Sequence, residues 1–336
     1  MKNKDKLLLG AFIAALIITF LFVAHGALAQ ERVEVLPFGD MESWTVRYIK
    51  ESALIGGKTK TMYMLAEPDT IHGTTYNRGS SPWSSSNAFA RAFGVNKVSV
   101  GVTPERRGNG WCAKLETHLE IVTAVGIDLK ALATGSLYTG VLAEPVTMAH
   151  SKDPNSAIDM GVPFTKRPTA LVLDYKAKIN PNGQIVYANA GTRVKNVAGR
   201  DKGQIVLVLQ HRWEENGHVY AYRVGTATEY IEQSTSGWVD GHRVEVCYGE
   251  PKSDCKQPWH ELTDSRFKTR NSQGKMVNIE EVGFRGEMQP THMIIQISSG
   301  SMPPFTGCPG NVVWCDNIRL AYDHSSDTSA GLRASR

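Results

Sequence analysis

Residues 170–179 alternate strictly. Leu171, Leu173, Tyr175, Ala177 and Ile179 fall on one side of an extended segment, and Val172, Asp174, Lys176 and Lys178 on the other, the period-2 pattern of a half-buried strand. The loop ahead of it, 161–169, sets Pro163 and Pro168 around Phe164 and the pair Lys166-Arg167. Each proline removes a backbone donor, so the loop continues neither a helix nor a ladder. Residues 113–123 alternate as cleanly, with Ala113, Leu115, Thr117, Leu119 and Ile121 set against Lys114, Glu116, His118 and Glu120. Residues 204–213 and 219–227, joined by a turn at 214–217, read as a hairpin. Further strands are expected at 244–248, 293–298 and 312–322, the last with Trp314, Asp316, Ile318, Leu320 and Tyr322 on one face. Residues 127–133 are expected to form a short helical turn. Helical periodicity is otherwise almost absent, there is no internal repeat, and turn signals separate the strands. The pattern predicts an all-β sandwich or jelly roll.

The N-terminus adds a compartment. Lys2, Lys4 and Lys6 precede an apolar run at 7–24 and a small-x-small site, Ala27-Leu28-Ala29, which reads as a secretory signal peptide at 1–29. An uncleaved signal anchor is the competing reading, because the run is nearly long enough to span a bilayer; membrane attachment is expected only in that case. The mature chain is expected in the periplasm, at the cell surface or outside the cell, as one domain over 30–323 with a polar tail at 324–336. Without residues 1–29 the formal charge falls from +4 to +2. With no run of Lys or Arg interleaved with aromatics, the chain lacks the electrostatic footprint of a nucleic-acid binder.

Export also permits disulfides. Cys247 with Cys255, and Cys308 with Cys315, are close enough in sequence to bridge adjacent strands or hairpin arms. Cys112 is left over and expected as a small buried hydrophobe. Neither C-x-x-C pairs nor H-E-x-x-H occurs, so no zinc pattern is present.

Candidate binding chemistry concentrates at 56–109, a stretch rich in Gly, Ser, Thr and Asn that carries Tyr63, Tyr76, Trp83, Phe89 and Phe93. Trp83 sits between Ser80-Ser81-Pro82 and Ser84-Ser85-Ser86-Asn87. Its indole is either a sugar-stacking platform or a lid over the core, and lid or core is the commoner fate of such a residue. Asp40 and Glu42 project to the same side of an extended segment, as a cation site or merely as solvated carboxylates.

Five pieces in order carry a resemblance: G-D-M-E-S-W at 39–44, W-S-S-S-N at 83–87, A-K-L-E-T at 113–117, P-F-T-K-R-P at 163–168 and G-N-V-V-W-C-D-N-I at 310–318. Together they resemble the putative carbohydrate metabolism domain (PCMD), found mainly in exported proteins of Bacteroidetes, over about residues 36–322. The resemblance implies a jelly-roll β-sandwich similar to carbohydrate-binding modules and to accessory domains of glycoside hydrolases, and supplies no catalytic motif. In related jelly rolls a structural calcium is held by acidic residues near both chain ends. Asp40, Glu42 and Asp316 are the matching candidates for Ca2+.

Three functions are open to such a chain. A non-catalytic glycan- or polysaccharide-binding protein needs an apolar platform with a few polar groups, for which the candidates are Tyr76, Trp83, Asn87 and Arg167. A glycoside hydrolase needs two carboxyl groups facing across a scissile bond, and no two acids are paired in that way by the sequence. An adhesin-like envelope protein would show a broad apolar patch.

Overall fold

The computed structural model describes residues 31–323 apart from 93, 125, 151–152 and 253–257. The expected leader at 1–29, the expected tail at 324–336 and Cys255 lie outside the described residues. The body is Glu34–Ala321; the other unit, Met1–Val33 with Tyr322–Arg336, lies mostly outside them. Among the described residues no helix is long and apolar enough to cross a membrane.

The body is an all-β jelly-roll sandwich. In chain order its principal strands are β1 (Val102–Arg107), β2 (Gly110–Glu116), β3 (Ser136–Leu142), β4 (Ala170–Lys178), β5 (Gly203–Glu215), β6 (His218–Ile231), β7 (Val239–Glu245), β8 (Met276–Phe284), β9 (His292–Ser298) and β10 (Val312–Tyr322). The front sheet runs β7-β4-β10-β2-β1 and is antiparallel throughout. The back sheet runs β3-β9-β5-β6-β8, antiparallel except where β8 joins β6 in parallel.

Alternation explains the core. Leu171 and Leu173 of β4, Leu115 of β2, and Val313, Cys315, Ile318 and Leu320 of β10 are wholly buried, as are Ile205, Leu207 and Leu209 of β5 and Ile295 and Ile297 of β9. Each such aliphatic side chain contributes about 1.5–3 kcal/mol by leaving water. The sheets close tightly where β5 begins: a Cβ on Gly203 would lie 2.8 Å from Val313 Cγ2, so glycine alone fits there.

β5 is buried on its second face too. Val206, Val208 and Ile294 pack with Tyr138, Trp259, Phe267 and Ile279 into a further core, which covers the outer side of the back sheet. Arg223 and Glu281 are buried beside it without solvent exposure. Glu281 accepts from Arg223 Nε at 2.7 Å, Arg223 Nη2 at 2.5 Å and Gln210 Nε2 at 2.6 Å, and Arg223 Nη1 donates to Trp259 O at 2.8 Å.

Three expectations are corrected. Residues 127–133 form a strand, Ile127–Ala133, paired in register with His118–Ala124 across a left-handed Gly126. The alternating run at 113–123 therefore breaks at Thr117, and Ile121 is exposed on that hairpin. In β10 the single apolar face is interrupted by a bulge: Asn317 has φ +51° and the register with β4 shifts there. The third correction concerns the thiols, since Cys247, Cys308 and Cys315 are all free. Cys315 points into the core from β10, whereas Cys308 sits under the Gly183 backbone with its amide held by Asp201 at 2.8 Å. Cys112 is the buried hydrophobe expected, its thiol pushed up to about 12 by burial.

Glu281→Gln leaves Arg223 buried with its countercharge removed. Urea unfolding is expected to show a loss of about 3 kcal/mol or more; a loss below about 1 kcal/mol would mean that the pair is not the anchor of this second core.

Candidate functional site

Beyond the bulge, the outer face of the front sheet follows from strand parity. Lys176 of β4 lies opposite Trp314 of β10, Trp314 opposite Lys114 of β2, and Lys114 opposite Thr103 of β1. One step along, Asp174 lies opposite Asp316. All of these side chains share the face away from the core. The Asn317 bulge lets β10 keep Ile318 and Leu320 inside while Trp314, Asp316 and Arg319 stay outside.

Two half-buried indoles dominate this face. Lys176 Nζ lies 4.1 Å from the Trp314 ring centroid and 5.7 Å from that of Trp238, just ahead of β7. The Arg107 guanidinium stacks on Trp238 at 4.0 Å. Trp314 Nε1 donates to Glu105 Oε1 at 2.8 Å, which fixes the ring's orientation.

Arg107 ties the strands together. Its Nη1 donates to Asp174 Oδ2 at 2.8 Å and Asp316 Oδ2 at 2.7 Å, and its Nη2 to Asp240 Oδ1 at 2.6 Å. Asp174 also accepts from Gly241 N at 2.7 Å, Asn317 Nδ2 at 2.8 Å and Arg319 Nη2 at 3.0 Å. Burial raises the Asp174 pKa, but the Gly241 amide, Asn317 and Arg107 outweigh it and hold the carboxyl below its usual range. For Asp316 burial wins over Arg107 and the Asn317 amide, and its carboxyl is raised. The two acids are thus pushed in opposite directions by unequal numbers of donors.

The residues expected from sequence fall elsewhere. Tyr76, Trp83 and Asn87 do come together, with Trp44 and Glu144, around a pocket whose free space is about 20 Å³, room for a water rather than a sugar ring. Trp83 is only 2% exposed and donates Nε1 to Pro37 O at 2.8 Å. Asn87 is buried, its amide donating to Tyr63 O and Val102 O while its oxygen accepts from Gly101 N and Val102 N. That leaves nothing for a ligand. Tyr76 is half-buried, its hydroxyl 3.4 Å from Ser84 Oγ. Arg167 lies apart, donating to Met288 O at 2.5 Å and Gly286 O at 2.6 Å and stacking on Tyr248 at 4.2 Å. It pins the proline loop.

The calcium candidates do not converge. The N-terminal turn does reach β10, through Leu36 N to Ile318 O and Ile318 N to Gly39 O. Glu42, however, spends Oε1 on Trp111 N at 3.0 Å, Asp40 is exposed, and Asp316 faces the Arg107 guanidinium. A cation beside Asp316 would meet a fixed positive charge, so this set does not fit Ca2+. Among the described residues no group of three or more His, Cys, Asp or Glu could hold a metal ion.

Two outcomes test these assignments. Trp83→Ala is expected to cost about 3–5 kcal/mol in unfolding free energy, as for a core aromatic; an unchanged melting temperature would restore the indole as a platform. Asp174, with its folded pKa depressed, contributes stability that is present above the ordinary carboxylate range and lost as pH falls through the folded value. Asp174→Asn is therefore expected to flatten the acid limb of the melting-temperature profile below about pH 4, and an unaltered limb would contradict the assignment.

No curated protein matches the chain. Among solved structures it is similar to a putative glycoside hydrolase from Bacteroides thetaiotaomicron, with 18% identity over 83% of this chain and 71% of that one and a TM-score of 0.45. It is similar to a putative glycoside hydrolase from Bacteroides vulgatus, with 18% identity over 86% and 94% and a TM-score of 0.40. A carbohydrate-binding module specific for non-crystalline cellulose, CBM28, aligns at 10% identity over 71% and 86% with a TM-score of 0.27. The family model of the putative carbohydrate metabolism domain, PCMD, matches residues 56–321, and the chain belongs to that family.

Proposed function

We propose that this chain is an exported glycan-binding protein whose binding surface is the outer face of the front sheet. Export rests on the basic, apolar and small-residue order of residues 1–29. The observation that carries the binding reading is the pair Trp238 and Trp314, half-exposed on one sheet face and held rigidly among fixed charges. Indole faces provide the apolar platform for a sugar ring, and oriented polar groups beside them meet its hydroxyls. Membership of a carbohydrate-metabolism family supports the same substrate class.

Binding is favoured over hydrolysis by Arg107. Asp174 and Asp316 do face each other beside the indoles, but both carboxylates are held by one guanidinium nitrogen, with side-chain exposures of 8% and 7%. A general acid must reach the proton acceptor it serves, and these oxygens are turned toward Arg107. The face is also too polar for the broad apolar patch of an adhesin.

Affinity electrophoresis or calorimetry against a polysaccharide panel tests the proposal. Trp314→Ala and Trp238→Ala are each expected to weaken binding by about tenfold or more, with melting temperatures within about 4 °C of the parent. Full retention of binding in the double variant would remove this face from consideration.

A further inference from the structure

The charges around Trp314 are not equally satisfied. Every carboxylate near the indole has a donor: Asp174 and Asp316 hold Arg107, Glu105 accepts from Trp314 Nε1, and Glu116 meets Lys114 Nζ at 2.7 Å. Lys176 differs. Among the described residues its ammonium meets no carboxylate within ion-pair distance, and its recorded neighbours are the two indole faces. A cation–π contact attracts the charge but leaves the N–H donors without a protein acceptor.

Register makes this lysine part of a built surface. Lys176, Trp314 and Lys114 stand side by side on three adjacent strands, with the indole in the middle. At the usual strand spacing the two lysine Cα atoms are about 10 Å apart. Lys114 is held only by a half-exposed pair with Glu116, a contact of the kind that competes poorly against a better partner.

We infer that the glycan taken by this face carries an anionic substituent, a carboxylate or a sulfate, which Lys176 receives while the ring stacks on Trp314 and Lys114 flanks the other side. This rests on the glycan-binding reading above and specifies its ligand class. A neutral sugar would meet the indole equally well, but would leave the Lys176 charge without a counterion in a half-buried place. An acidic sugar supplies one where water is partly excluded and the attraction is correspondingly stronger.

The test compares charged polymers with their neutralised forms, using the full chain at low ionic strength. One arm is polygalacturonate against carboxyl-reduced polygalacturonate; the other is λ-carrageenan against its desulfated form. In the arm that matches the natural substituent the charged polymer is expected to bind about tenfold more tightly or better. Lys176→Gln is expected to bring that ratio close to one and Lys176→Arg to retain it. Lys58→Gln, at an exposed residue that belongs to none of the strands of this sheet, is the control for non-specific attraction and should leave the ratio in place. Equal affinity for charged and neutral polymers, or an undiminished ratio in Lys176→Gln, overturns the inference while the glycan-binding face stands. Failure of the parent protein to bind any of the four polymers overturns both.

Discussion

One residue in the left-handed region sets the phase of the last strand, and the front sheet depends on it. β10 is central in that sheet and has to fill the core along its whole length. Uninterrupted period-2 alternation would put Trp314, Asp316 and Ile318 on the same side. The bulge at Asn317 takes up one residue, so Val313, Cys315, Ile318 and Leu320 are all buried although an odd step separates the two pairs. The cost of a positive φ is modest for Asn, whose short polar side chain tolerates it. Its amide also donates to Asp174, so the residue that breaks the ladder braces the carboxylate beside it.

Two arginine clusters in the molecule illustrate how burial decides what a charge can do. Arg223 and Glu281 are dry and fully matched, fixed between the back sheet and the segment that covers it. Arg107 holds three carboxylates at the edge of water, with its own side chain 20% exposed and Asp240 largely solvated. The first cluster can only hold the fold together, since loss of either partner leaves a charge in a low-dielectric interior. The second keeps a rigid floor beneath the indoles, while solvent and any ligand still reach its rim.

Much of the architecture was legible in the sequence, because it rests on alternation within single strands. Residues 171–177 occupy the faces that their parity predicts, but the expectation that the proline loop continues no ladder is corrected: Val162–Pro163 pairs antiparallel with His292–Met293 at the sheet margin, where a proline's missing donor is tolerated. What failed was information that lies outside one strand. The bulge at Asn317 inverts parity without any glycine to mark it. Residues 127–133 look helical in isolation, and become a strand because His118–Ala124 offers seven partners in register. The thiols at 308 and 315 are near in sequence, but one belongs to the core side of a strand and the other to a turn.

Two tryptophans show the same division most clearly. Trp83 and Trp238 have nearly the same local company, Ser80-Ser81-Pro82 before one and Ser234-Thr235-Ser236-Gly237 before the other. Composition cannot separate them; sheet topology does. Trp83 enters a short strand paired with β3 in the back sheet, where the ring is enclosed. Trp238 leads into β7 at the edge of the front sheet, on its outer side. The outer side of the back sheet is sealed by residues 258–284 and the core beneath them. The outer side of the front sheet is closed near Ala170, Val172 and Ala321, and from Asp174 onward β4 carries charge instead of aliphatic side chains. A sheet face bearing two half-buried indoles is thus left outside both hydrophobic layers, and the polar stretch 56–109 reaches it only through the strand Val102–Arg107, whose Glu105 and Arg107 hold the two rings.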